Sequence, residues 1–299
     1  MMEFLRSRQS VGVVESVFSR AVNLRWDNRT ISILERSLGL FPNSLVAPLK
    51  KVLPLLDARR QVVCRHGAVV VLGAPVVSFD LRQAALWNPR LGVCNLDGGL
   101  SALRNRLAIA VEAAGSEVAG DGFGRIIQSM GTPAVNSGGG SMPQWSLSGF
   151  KNALALLEAC RDENPRKMRR AAAELIGLGV GLTPSGDDLI VGMLAGLAGV
   201  GHPSALKLAR TITGLEPHRT TQVAQALLSH AARLEFSARL HRLVIALARA
   251  DSRWLRKEVS DALAWGASSG ADSLLGVMLG MSAALPFEAA CSLPWASSV

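Results

Sequence analysis

The segment TPSGDDLIVGMLAG, residues 183–196, recurs without gaps as ASSGADSLLGVMLG, residues 267–280. The shared pattern is S-G-x-D-x-x-x-G-x-x-x-G, with Ser185, Gly186, Asp188, Gly192 and Gly196 matched by Ser269, Gly270, Asp272, Gly276 and Gly280. Spacing of four residues places Asp188, Gly192 and Gly196 on one helical stripe. A glycine inside a helix costs about 1 kcal/mol relative to alanine, so it needs a reason to be there. Close approach of another backbone supplies that reason, and the repeat predicts two central helices in contact through their glycine faces. The chain must therefore fold around a helical pair.

The residues ahead of the first stripe predict a different role. Thr183 suits an N-cap and Pro184 the first helical position, where no backbone N–H is needed. The N–H groups of Ser185, Gly186 and Asp187 would then point outward, with the Ser185 hydroxyl as an added donor. Gly177, Gly179 and Gly181 would let the backbone fold close, completing an anion cradle at a helix start. The interval from Gly181 to Gly186 matches the GxxxxG of a phosphate loop, but Asp187-Asp188 stands where that motif has Lys-Ser/Thr. A nucleotide phosphate loop is thereby excluded. A carboxylate in the first helical turn interacts favourably with the helix dipole, which accounts for one aspartate. Asp188, on the glycine stripe, is expected to point inward and to need an arginine, backbone donors, a magnesium ion or a substrate amine.

Around this centre the chain divides by character. Val11 to Trp26, Thr30 to Glu35 and Gln61 to Leu81 carry β-branched and apolar residues in short runs broken by turn residues, Asp27-Asn28-Arg29 among them. They predict a small N-terminal barrel or sandwich over residues 1–97. From residue 98 the periodicity becomes helical. Helices are expected at 99–115, 148–161, 165–178, 187–200, 203–214, 221–250 with a break, 253–265 and 269–285. The fold class is α+β, a β-rich unit followed by a mainly α-helical domain. Glycine-rich breaks fall at 120–124 and at Asn136 to Ser141; the second reads as a connector or as a lid over a site.

The remaining composition narrows the function. Four scattered cysteines form no CxxC pair, and the five histidines form no chelating pair. The apolar run from Leu189 to Val200 is shorter than the roughly 20 residues a membrane helix needs. No apolar stretch follows the charged start MMEFLRSRQS, so a cytoplasmic protein is expected. A formal net charge of +9 raises nucleic-acid binding as an alternative. Arginines are spread along the whole chain, however, and aromatics are only 5% of residues, which suits attraction of small anionic metabolites better.

With GLGVGLTPSGDDLIVG in the middle of the helical part, SSGADSLLG near its end and a strand-rich first third, the sequence resembles the DUF2877 family. Its better-placed member is the AllH-type subunit of oxamate carbamoyltransferase, from bacterial allantoin breakdown. The resemblance covers most of the chain; Val180 departs from it where proline is expected. It implies a multi-subunit enzyme exchanging a carbamoyl group between oxamate and phosphate, with other subunits as partners. The Ser-Thr-Arg-Thr-Arg motif of ordinary carbamoyltransferases is absent from this sequence.

Together these readings make Asp187, Asp188 and Asp272 the candidate catalytic groups. Gly179, Gly181, Thr183, Ser185, Gly186, Ser269 and Gly270 become candidate contacts to a phosphate- or carbamoyl-bearing small molecule. Asp187 and Asp188 are the candidate magnesium ligands. Arg219-Thr220-Thr221 offers either a second anion site or an ordinary helix start. The alternative is a non-catalytic assembly subunit in which the two glycine motifs only build the core.

Overall fold

The computed structural model describes residues 11–26, 29–118, 122–131, 143–215 and 219–295. The turn at 27–28 and the Gly/Ser segment at 136–141 lie outside them. The chain forms two compact units, residues 1–89 and 90–299.

The first unit is a single barrel-like sheet. Its seven strands are β1 (Val11–Val17), β2 (Ala21–Trp26), β3 (Arg29–Glu35), β4 (Ser44–Ala47), β5 (Gln61–Arg65), β6 (Ala68–Val71) and β7 (Val77–Asp80). They run in the order β4-β3-β2-β1-β5-β6-β7. Every pairing is antiparallel except β3 with β4. Period-two burial follows from the pleat: Val22, Leu24 and Trp26 on β2 and Ile31 and Ile33 on β3 point into one core. Gly12 on β1 makes room for Trp26, since a Cβ there would lie 2.6 Å from the indole ring. Between β3 and β5 the chain forms strand β4 flanked by two 3-10 turns, Arg36–Leu38 and Leu53–Leu55.

The second unit is helical. Its elements are α1 (Gly99–Glu117), α2 (Gly124–Gly131), α3 (Gln144–Arg161), α4 (Pro165–Leu175), α5 (Ser185–Gly199) and α6 (Ser204–Thr213). After these come α7 (Gln222–Ala231), α8 (Ala238–Arg249), α9 (Ser252–Leu263), α10 (Ser269–Ser282) and the short α11 (Phe287–Ala290). Residues 90–97 also bond to this unit: the Leu91, Cys94 and Asp97 amides donate to the Leu234, Gly199 and Ala248 carbonyls. The expected break within 221–250 falls between α7 and α8. Helix α2 was not foreseen, because eight residues bounded by glycines carry little periodic signal.

Every residue of α5 is buried, and so is α10 from Gly270 onward. The two helices meet through their glycines. A Cβ on Gly192 would lie 2.1 Å from the Ser273 carbonyl oxygen, and one on Gly276 would lie 2.1 Å from that of Leu189. Gly196 meets Val277 at 2.4 Å, and Gly280 meets Met193 at 2.3 Å. These contacts advance together along both helices, so the two pack in parallel. They are also reciprocal, each contact having its counterpart in the other copy. The motif repeat thus describes a local two-fold relation with both N-termini at one end.

Candidate functional site

Parallel packing brings two helix N-termini, and the partial positive charge each carries, to one place. Asp188 stands in the first turn of α5 and Asp272 in the first turn of α10. Both are buried, at 3% and 0% exposure. The pairing crosses between the copies. The Asp188 carboxyl lies beside the hydroxyls of Ser269 and Thr183, which are themselves 2.8 Å apart. The Asp272 carboxyl lies beside the hydroxyls of Ser185 and Ser268. Its Oδ1 also accepts the Phe123 N–H at 2.7 Å. Gly122 permits this approach, since a Cβ there would lie 2.6 Å from Asp272 Oδ1.

The second oxygen of each carboxyl, Oδ2 of Asp188 and of Asp272, is buried with no hydrogen-bond partner among the described residues. An unsatisfied buried oxygen is costly if charged, so burial shifts both groups towards their protonated forms. Burial pushes Asp188 up to about 8, against the relief from its hydroxyl neighbours, and the nearby Asp272 and Asp187 charges push the same way. Burial raises Asp272 to about 6, opposed by the Phe123 N–H. Both carboxyls thus titrate above the ordinary carboxylate range, and a pair that retains a proton can donate as well as accept. Ser185, Ser269 and Thr183 surround it.

Asp187 points elsewhere. It accepts the Thr220 hydroxyl at 2.6 Å and the Gly177 N–H at 3.3 Å. Burial again dominates, raising it to about 6 against those two donors. Successive helical residues diverge by about 100°, so Asp187 and Asp188 face different surroundings despite their adjacency. Among the described residues no group of three His, Cys, Asp or Glu side chains is arranged to hold a metal ion. Asp187 thus meets Thr220 and Gly177, whereas Asp188 meets Ser269 and Thr183.

Other expectations at the helix start also need correction. Helix α5 begins at Ser185, with Pro184 in the cap position and no side-chain cap. The Thr183 hydroxyl instead meets Ser269. The amides expected to point outward are largely spent within the chain. Gly186 donates to the Leu178 carbonyl at 2.9 Å and Asp187 to that of Pro184 at 3.0 Å. Gly270, the counterpart of Gly186, donates to the Trp265 carbonyl at 2.9 Å. Both glycines serve close packing, since a Cβ would lie 1.9 Å from the Leu175 carbonyl oxygen at Gly186 and 1.9 Å from that of Ala262 at Gly270. The Gly186 and Asp187 amides are therefore taken by the chain's own carbonyls, and the polar side chains of Thr183, Ser185 and Ser269 lie beside them.

The loop before α5 keeps its glycine character for conformational reasons. Gly179 and Gly181 have φ of +110° and +102°, and a Cβ on Gly179 would crowd the Ser185 amide. Val180 and Leu182 on this loop are exposed. Thr221 is an ordinary N-cap, accepting the Ala224 N–H at 3.1 Å, whereas Thr220 is committed to Asp187. Phe123 carries no motif that would single it out, whereas Gly122 lies in the glycine-rich break at 120–124 and Ser268 opens the SSGADSLLG segment.

No helix among the described residues is long and apolar enough to cross a membrane. Two family models match. One, described as oxamate carbamoyltransferase subunit AllH, covers residues 175–281 and so contains both helix starts. The other, the AllH family N-terminal domain, covers residues 1–86 and so contains the sheet. No curated protein and no solved structure matches the chain. Between them the two models span the sheet and the paired helices, and the chain belongs to the AllH family.

Proposed function

We propose that this chain serves as a subunit of a cytoplasmic oxamate carbamoyltransferase-like enzyme. In this reading it binds a carbamoyl- or phosphate-bearing small molecule where α5 and α10 begin. The observation that carries the reading is the pair of buried oxygens, Asp188 Oδ2 and Asp272 Oδ2, left without partners beside the hydroxyls of Thr183, Ser185, Ser268 and Ser269. Structural carboxylates are normally satisfied, and perturbed ones gather where ligands bind. A protonated Asp188 would donate to an oxygen of the ligand, and an ionised Asp272 would accept from an N–H. Ser185, Ser269 and Thr183 would complete the polar lining, with the positive helix ends favouring negative charge. Loop residues Gly179 and Gly181 would border the entrance. Other subunits of the assembly would complete the reaction site.

Calorimetric titration of carbamoyl phosphate and of oxamate, with and without magnesium, tests this on the wild type, Asp188→Asn and Ser185→Ala. Saturable binding that both variants weaken is the expected result. A folded wild type that binds neither compound, alone or with its co-purifying subunits, refutes the reading.

A second reading rests on the complete burial of α5 and the glycine contacts. The motifs would then only build the core of a non-catalytic assembly subunit. That reading expects Asp188→Asn to leave the activity of the assembled enzyme intact, whereas the first expects it to fall.

A further inference from the structure

On the other side of Asp187, away from the Asp188–Asp272 pair, helices α4, α6 and α7 enclose a cleft of about 310 Å³. Ile176, Ile212, Leu215 and Leu228 give it an apolar wall, and Thr220, Gln225, Ser229 and Arg233 a polar one, with Arg233 paired to Glu235 at 3.2 Å. A second cavity of about 220 Å³ shares Ile176 and Leu215 with it and is bordered by Arg169 and Arg219. None of the described residues lining either cavity is acidic. Arg169 is held in place by its hydrogen bond to the Gly214 carbonyl at 3.0 Å. Gln225 likewise donates to the Thr220 carbonyl at 3.0 Å, so the polar wall is ordered.

We infer that this double cleft is a binding site, distinct from the helix-start cluster, for a small organic monoanion with an aliphatic body. The size lies within the range of small-molecule sites, and such sites pair apolar walls with a few placed charges. An aliphatic chain would lie against Ile176, Ile212 and Leu228, with its carboxylate directed to Arg169 and Arg219. A guanidinium fork suits a carboxylate because it can donate two parallel N–H bonds. Both guanidiniums are exposed, and a carboxylate can pair with them where a neutral ligand cannot and a cationic one would be repelled. The site also has a structural route to the motif. Thr220 lines the cleft and donates to Asp187, and Ile176 immediately precedes Gly177, whose N–H donates to the same carboxylate. Occupancy would therefore be felt at the start of α5.

Hexanoate is a suitable probe, with hexanamide as its uncharged match and acetate as its truncated one. Titration of the full chain should show saturable one-to-one binding of hexanoate, with both comparison compounds weaker by about tenfold or more. Arg219→Gln and Leu228→Asn should each weaken hexanoate by about the same factor. Neither oxamate nor carbamoyl phosphate should displace hexanoate, which separates this inference from the site at the helix starts. Arg219 is exposed, so its replacement leaves the core intact, and circular dichroism checks that it does. The inference is overturned if hexanoate fails to saturate the wild type, if hexanamide binds equally well, or if folded Arg219→Gln and Arg169→Gln both bind as tightly as the wild type.

Discussion

Replacing Gly192 by alanine places a methyl group where the Ser273 carbonyl already stands. The new Cβ would lie 2.1 Å from that oxygen, whereas ordinary contact begins at 3.4 Å, so α5 and α10 must part locally by about 1.3 Å. Two terms of opposite sign then compete. Alanine is the better helix former by about 1 kcal/mol, which favours the variant. Overpacking a dense core costs about 1–3 kcal/mol, and the upper end applies here because the obstacle is a backbone atom of a fully buried helix. The net expectation is destabilisation by about 2 kcal/mol. For a helical unit of this size, that lowers the melting temperature by about 4–8 °C.

Differential scanning calorimetry of Gly192→Ala beside Gly92→Ala reads this directly. Gly92 has no heavy atom within 4 Å of the added methyl, so its replacement should be nearly neutral. Gly276→Ala should repeat the Gly192 effect, because its methyl meets the Leu189 carbonyl at the same 2.1 Å. The double variant should fall short of the sum, since one separation of the helices relieves both clashes. An unchanged or raised melting temperature for Gly192→Ala would refute the claim that backbone contact through glycine holds the pair together.

Three further outcomes follow from the same geometry. Asp188 is raised from 3.8 to about 8, so the folded state keeps a proton that the unfolded state has lost, and stability falls as pH rises through that window. Asp187 and Asp272 contribute only up to about 6, so Asp188→Asn should flatten the slope of stability between about 6 and about 8 in pH-dependent urea unfolding. Thr220→Val removes a 2.6 Å donor from buried Asp187 and should cost about 1–3 kcal/mol, more at pH 8 than at pH 5 because Asp187 then ionises with one donor fewer. In the sheet unit, Gly12→Ala drives a methyl into the fully buried Trp26 ring and should cost about 1–3 kcal/mol, visible as altered Trp fluorescence and earlier unfolding.

How far such features can be read ahead of the fold depends on whether the signal is periodic or positional. The glycine stripe was legible because Gly192, Gly196, Gly276 and Gly280 recur at helical spacing, and only close backbone approach offsets their cost. The same pattern marked Asp188 and Asp272 as inward-facing. What it could not convey was the direction of packing, since parallel and antiparallel pairs have the same stripes. Parallel packing is what sets Asp188 beside Ser269 and Asp272 beside Ser185, turning two helix starts into one cluster.

The amide cradle was misread for a related reason. A glycine run before a helix resembles an anion loop in composition, but which carbonyl reaches the Gly186 amide is a tertiary fact, and Leu178 reaches it first. Phe123 and Thr220 supply donors to the aspartates from segments distant in sequence, so their pairing with Asp272 and Asp187 emerges only from the folded backbone. The two adjacent aspartates thereby acquire separate roles. Asp187 ties the preceding loop to Thr220 by hydrogen bonds that satisfy it, whereas Asp188 retains an oxygen that nothing among the described residues satisfies. A purely structural carboxylate has no need of that residual oxygen. Asp188, rather than its neighbour or the glycines, is therefore where a functional effect should separate from a loss of stability.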